Sequence, residues 1–378
     1  MNFILPCLFV GGCVKLTQKP QTHSVASKAQ TSNFKSIEPF KQSSQLNRIQ
    51  SIIYHRDLLW LGTPKGLYSF HYPSMNMENL SDKPYLPNEN IINLATSADG
   101  TLYALAEKTG LHALPAGSTE FFSTRSTKIR DIVIKPGDSS VYCATSHGVD
   151  VFQGNSWRNI RIKSTSKFAS QANDITAITV DNSGTFWLGT TFGLYRMASE
   201  NRFDFIFGDY QIVSGNLVVN ERGNSPLGGN LFYSATFNAE SNRLLFGTNG
   251  GLSEINQPEK FKVKGNWKIY TGNHTTSKMT NGKIQSVAVS GNSPLPTNFI
   301  KLSLEIGDNL FIGSDEGLAR LNRKTGDWMH YNIDNQLGGD QILSLYSTDL
   351  KFKKLLFVGT SGGLSILQVS ESQPKEEA

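Results

Sequence analysis

The sequence predicts an all-β chain: a seven-bladed β-propeller of four-stranded antiparallel blades, with the ring closed by the N-terminal strand. Three observations predict it. A short β-type run, a polar turn, a Gly and a second β-type run recur seven times, anchored at Gly66, Gly110, Gly148, Gly193, Gly251, Gly317 and Gly363. An alternating run opens 17 to 21 residues before each of those glycines. A further run, often aromatic, follows several copies, so a unit holds up to four short strands, the make-up of a propeller blade.

The elements follow in chain order. Residues 3–13, FILPCLFVGGC, are apolar and end in small residues before Cys13. Such a segment suits a translocon and a peptidase that cuts at small residues, so 1–13 is expected to be a lipoprotein-type signal segment. Residues 14–32 are polar and poor in aromatics, which suits a flexible tether. The propeller is expected over 33–369, with 370–378 as a polar tail. NFKSIEPF (33–40) alternates like a lone fourth strand, whereas the last copy, LLFVGTSGGLSIL (355–367), lacks one. Pairing the two ends in blade 7 would remove an exposed sheet edge.

Ile49, Ile91, Ile129, Ile175, Phe232, Ile300 and Ile342 open alternating runs such as ITAITVD (175–181) and IKLSLEI (300–306), the signature of a half-buried strand. In LLWLGTPKGLYSF (58–70) and FWLGTTFGLYRM (186–197), large residues fill the space between blades, and Trp60 and Trp187 are expected in the core. The Gly after each turn is expected at positive φ. In copies two and three, Ala106 and Ala144 stand near the place of the first Gly of the Gly-Thr pair. The glycine separations are 38 to 46 residues except for two, of 58 and 66. These mark insertions at about 208–230 and 271–298, rich in Gly, Asn, Ser and Thr. Long loops of this kind are functional or disordered more often than structural, and these are expected to cover or edge the channel mouth.

Composition excludes several classes. The chain of 378 residues has 36 Lys+Arg against 31 Asp+Glu, a net charge of +5, and no block of basic residues, which argues against nucleic acid as a partner. An apolar share of 38% with 18% charged residues is that of a folded chain. No apolar run reaches 18 residues, so membrane contact is expected through a lipid anchor only. The three cysteines lack metal-site spacing. With Cys7 and Cys13 in the signal segment, Cys143 is left as a small buried hydrophobe, and a Cys143–His147 nucleophile is not expected. HExxH, GxSxG, phosphate-loop and CxxC motifs are absent, and neither a cofactor nor a metal site is expected.

LPNENIINLATSADGTLYALAEKTGLHAL (86–114) and QANDITAITVDNSGTFWLGTTFGLYRM (171–197) resemble the two-component regulator propeller repeat. Asp181, Gly184, Trp187, Gly189, Thr190, Gly193 and Leu194 match its middle and end, as do Gly62, Thr63 and Gly66 in the first copy and Gly359, Thr360 and Gly363 in the last. The resemblance covers roughly 34–367. It implies an extracytoplasmic sensing propeller, in that family usually followed by a linker, a membrane helix and a histidine kinase. Only 11 residues follow Leu367 here, so the expectation is a stand-alone propeller. Val10-Gly11-Gly12-Cys13 resembles a bacterial lipobox, which implies lipidation at Cys13 and a place in the cell envelope, in the periplasm or at the outer membrane.

Propellers bind ligands at one mouth of the channel, where the second-to-third turns and the segments leading into the first strands converge. The rim candidates are Lys65, Tyr85, Asn90, Lys108, Arg130, His147, Asp174, Phe192, Asp315 and Glu316, none of them catalytic. The expected function is a non-catalytic envelope lipoprotein that binds a small molecule, a glycan or an envelope protein at this rim. The alternative is a propeller enzyme similar to streptogramin lyases, with His147 and Asp315 or Glu316 acting with Mg²⁺ at the mouth. A His–carboxylate cluster within about 4 Å would favour it.

Overall fold

A computed structural model describes residues 34–36 and 48–371, apart from 73, 75, 81–87, 126–127, 139, 165, 215–216, 282, 336 and 351–352. Among these residues, seven four-stranded antiparallel sheets follow one another along the chain. Their innermost strands are Ser51–His55, Ile91–Thr96, Ile129–Ile134, Ile175–Val180, Phe232–Asn238, Ile300–Ile306 and Ile342–Leu350. In blades 1 to 6 the chain then runs outward, strand by strand. Blade 7 is different: its outermost strand is Phe34–Ser36, which pairs Phe34 with Leu367 and Ser36 with Ser365. The ring therefore closes as the unmatched ends of the sequence require. At the seam, Ile49 N–H donates to Thr360 O (3.2 Å), and Ser344 Oγ donates to Ile49 O (3.1 Å).

The core is seven separate apolar layers, one at each junction between neighbouring blades. Between blades 4 and 5, Trp187, Leu194, Phe232, Leu244 and Phe246 pack together. Trp60 and Trp187 are both buried, and so is Cys143, as expected. Burial pushes the Cys143 thiol well above its usual range, with Asp150 and Asp131 adding to the effect, so it stays protonated and unreactive.

The repeated residues have identifiable local duties. All seven predicted glycines have positive φ, from +86° at Gly110 to +130° at Gly363. A hydroxyl staples the turn before each of them in six blades. Thr190 Oγ1 donates to Gly193 O (2.9 Å) and accepts from Phe192 N–H (3.1 Å), and Thr63, Thr145, Thr248, Ser314 and Thr360 do the same. In blade 2 that place falls to Ala106, paired with Gly110. The preceding glycine serves a different purpose, close approach. A Cβ on Gly247 would lie 2.5 Å from Ile300 O of the next blade, and one on Gly359 would lie 2.4 Å from Ile49 O. By register, Leu105 and Ala144 occupy this position in blades 2 and 3. In blade 2 the residue standing for that Gly is therefore Leu105, one place before the Ala106 that the motif spacing suggested. Asp181 accounts for the Asp-x-x-Gly-x-x-Trp pattern. Its carboxylate accepts Ser183 N–H (2.9 Å), Thr185 N–H (3.1 Å) and Trp187 Nε1–H (2.9 Å), tying a turn to a buried indole.

The described residues of the two insertions form strands. Each folds into a hairpin of its own: Tyr210–Ser214 with Leu217–Glu221, and His274–Thr280 with Lys283–Val289. The β-branched runs YQIVS and LVVNE, and the dipeptide Asn281-Gly282, are hairpin signals in the sequence that a reading by composition as loops passes over.

Candidate functional site

The channel mouth is built by a defect repeated around the ring. In six blades the pairing of the innermost strand skips one residue, between Ile91 and Asn93, Ile129 and Asp131, Ile175 and Ala177, Phe232 and Ser234, Ile300 and Leu302, and Ile342 and Ser344. Such a bulge bends the strand and re-aims the extra side chain. The residues so released are Ile92, Arg130, Thr176, Tyr233, Lys301 and Leu343. Each keeps solvent contact on an innermost strand, although the residue before it is buried. By register they lie at the ends of the innermost strands nearest the second-to-third turns, and Ile92 packs against the layer between blades 2 and 3.

Two ion pairs order this ring. Lys301 Nζ stands 3.6 Å from Asp315 Oδ2 and 4.3 Å from the centre of the Tyr233 ring, so blades 5 and 6 share one polar–aromatic cluster. Burial, and then the Asp315 charge, push the Tyr233 phenol above its usual range, keeping its O–H as a donor. Arg130 Nη1 pairs with Asp174 Oδ1 at 2.5 Å and also donates to Ile175 O (3.2 Å), which clamps blade 3 to blade 4. One residue further down the channel wall, Asp131 accepts from Asn93 Nδ2 (2.8 Å), Ile132 N–H (2.9 Å) and Ile178 N–H (3.0 Å), linking blades 2, 3 and 4. The residue is half-buried, yet protein encloses the carboxyl group. Burial outweighs the three hydrogen bonds and pushes its pKa up to about 6.

The rim candidates fall into separate groups. Lys65, Lys108, His147, Asp315 and Glu316 are exposed on the second-to-third turns of four blades. Asn90 donates to Glu107 Oε2 (3.1 Å), and Arg130 and Asp174 are each other's partners. Phe192 is buried, stacked at 3.9 Å on Phe168, so it supports the rim from below instead of presenting a face to solvent. Tyr85 and Cys13 lie outside the described residues. Asn173, Asn230 and Asn298 act as clips: each side chain makes a backbone-like pair of bonds with the chain leaving the preceding blade, at Ile162, Gly208 and Gly272. His147 does not meet Asp315 or Glu316. Its Nε2 lies 3.4 Å from Asp150 Oδ2, in its own blade, and the Asp150 side chain is 2% exposed. Among the described residues, no group of three or more His, Cys, Asp or Glu could hold a metal ion.

Sequence reasoning missed Tyr233, Lys301 and Asp131. A signal for them exists. In IRDIVI the isoleucines fall at 129, 132 and 134, a slip of one from a spacing of two, and in ITAITV the isoleucines at 175 and 178 slip at the same place. The slip is the bulge, and the residue after the opening Ile is the one released.

The same rim carries both hairpins, because they arise between an outermost strand and the next innermost one. Gln211 joins them: its Nε2 donates to Ser277 O (2.8 Å) and its Oε1 accepts from Ser277 N–H (3.2 Å). Lys167 Nζ, 3.3 Å from Glu221 Oε2, ties the first hairpin to the connection between blades 3 and 4, above an aromatic cluster of Phe168, Phe192, Phe207 and Tyr210.

No protein-family model matches the chain, and no curated protein matches it. Among solved structures, the chain is similar to YCF48 from Cyanidioschyzon merolae, with 11% identity, a TM-score of 0.53, and 89% of this chain and 98% of that one covered. It is also similar to the computationally designed Ika8 protein, with 11% identity, a TM-score of 0.51, and 85% and 96% covered. A weaker likeness, at 18% identity and a TM-score of 0.37, is to the extracellular domain of BT4673 from B. thetaiotaomicron, described as a hybrid two component system. It covers 88% of this chain, which spans about half (47%) of that one. At these identities the likeness to YCF48 and Ika8 establishes the propeller fold and no family.

Proposed function

We propose that the chain is a non-catalytic envelope lipoprotein whose propeller binds a ligand or partner at the channel mouth. The observation that carries the binding site is the ring of bulge residues, above all the Tyr233–Lys301–Asp315 cluster, which offers an aromatic face, a cation and an anion side by side. Such a group suits a polar small molecule or a glycan, which can stack on the ring and bond to the charges. The repeat resemblance supports an extracytoplasmic setting, and the lipobox-like segment supports an anchor at Cys13.

The lyase-like reading has one observation in its favour, the His147–Asp150 contact at 3.4 Å. The buried carboxylate weighs against it: a substrate at the mouth would reach His147 but not Asp150.

A photo-reactive phenylalanine analogue at position 233, placed in the native envelope, tests the binding reading. Capture of one mass adduct or one partner is expected, and the adduct should vanish on Lys301→Ala. Capture of nothing at position 233, with capture at an outer-strand position such as Arg158, would refute it. Radiolabelled palmitate tests the anchor; incorporation that survives Cys13→Ala would overturn that part.

A further inference from the structure

The two inserted hairpins differ in composition from the rest of the chain. Beyond the Gln211–Ser277 link the first strand of each hairpin runs on for three more residues, 212–214 and 278–280, roughly 10 Å of extended chain. Past the link, residues 212–219 and 278–286 contain no acidic residue, in a chain that has 31 of them. Their charges are Lys278 and Lys283, both exposed. Three apolar side chains of the first hairpin are exposed, Leu217 by 59%, Ile212 by 44% and Val213 by 38%, while Val218, Val219, Met279 and Ile284 are half-buried. Leucine and isoleucine at such exposure on a projecting tip are costly in water and favourable at a lipid interface. Lysines without acids beside them are attracted to anionic headgroups.

We propose that the paired hairpins are a second membrane contact, in which aliphatic tip residues enter the interface of an anionic lipid surface and Lys278 and Lys283 lie at the headgroups. The claim is independent of the channel-mouth ligand and of lipidation at Cys13. It is tested with the unlipidated chain, Cys13→Ala, by flotation with phosphatidylcholine vesicles with and without a minor fraction of phosphatidylglycerol. Binding to the phosphatidylglycerol vesicles is expected, falling with salt. The double variant Lys278→Gln/Lys283→Gln should weaken it about 30-fold, since each lysine near such a surface is worth about fivefold. Leu217→Ser with Ile212→Ser should weaken it at every salt concentration. Gln211→Ala keeps all charged and apolar groups but unlinks the hairpins, and should also weaken binding. These side chains lie outside the seven core layers, so circular dichroism and melting should stay as in the parent. Equal binding to both vesicle types, or none to either, would overturn the proposal. Tip-directed cross-links to one envelope protein, without vesicle binding, would replace the lipid by a protein partner.

Discussion

Arg323 is the most informative residue to remove. It sits between blades 5 and 6, where Glu254 and Glu305 are almost fully buried. Its Nη2 lies 2.7 Å and its Nη1 3.3 Å from the two Glu254 oxygens, a bidentate pair, and Nη1 also donates to Tyr270 Oη (3.1 Å). Its Nε lies 3.1 Å from Glu305 Oε1, close enough for strong attraction though off the line of a hydrogen bond. Arg243 binds Glu305 too, but reaches Glu254 only at 3.7 Å and is the more exposed arginine. The set is neutral: two carboxylates and two guanidiniums. Arg323→Met keeps the volume and leaves Glu254 buried with one distant cation. Removing one partner of a buried pair costs about 3–5 kcal/mol, because the orphaned charge keeps its desolvation cost. Urea unfolding at pH 7 should show a loss of that size. Arg243→Met should cost less. A loss under about 1 kcal/mol, the size expected of an exposed ion pair, would refute the reasoning.

Three further outcomes are expected. The Asp131 carboxyl should titrate near pH 6, read by carbon NMR of the labelled side chain. Its folded pKa is raised, so the folded state holds a proton that the unfolded chain has released, and stability should rise by about 2–3 kcal/mol as pH falls from 7 to 4, after allowance for other carboxylates through Asp131→Ala. Thr190→Val strips the buried Phe192 N–H of its acceptor and should cost about 2–4 kcal/mol in denaturant melts, whereas Ala106→Thr in blade 2 should not destabilise to that extent. Gly251→Ala places a Cβ 2.3 Å from Tyr270 O at φ +114°, so it should destabilise by more than about 2 kcal/mol and lower soluble yield.

Blade number, strand order and ring closure were legible because they depend on short-range patterns: a hydroxyl that staples a turn, a Gly at positive φ, and period-two alternation. The candidate site was legible only in part. Arg130 and Asp174 stood out as charged residues next to strand starts, but they bind each other across blades 3 and 4. Phe192 stood out as a turn aromatic, but Phe168, 24 residues earlier, covers it. Tyr233 and Lys301 were hidden because each looks like an ordinary strand residue until the bulge re-aims it.

The residues alone determined a seven-fold repeat, since each blade's local geometry is encoded within about 20 residues of its glycine. Tertiary structure alone decided which side chains meet at the mouth, where Tyr233 and Lys301 stand 68 positions apart, and that the two insertions join through Gln211. The reason is geometric. A blade's edges and turns are set by its own chain, whereas the channel and the hairpin pair exist only once the ring has closed and brought distant blades side by side.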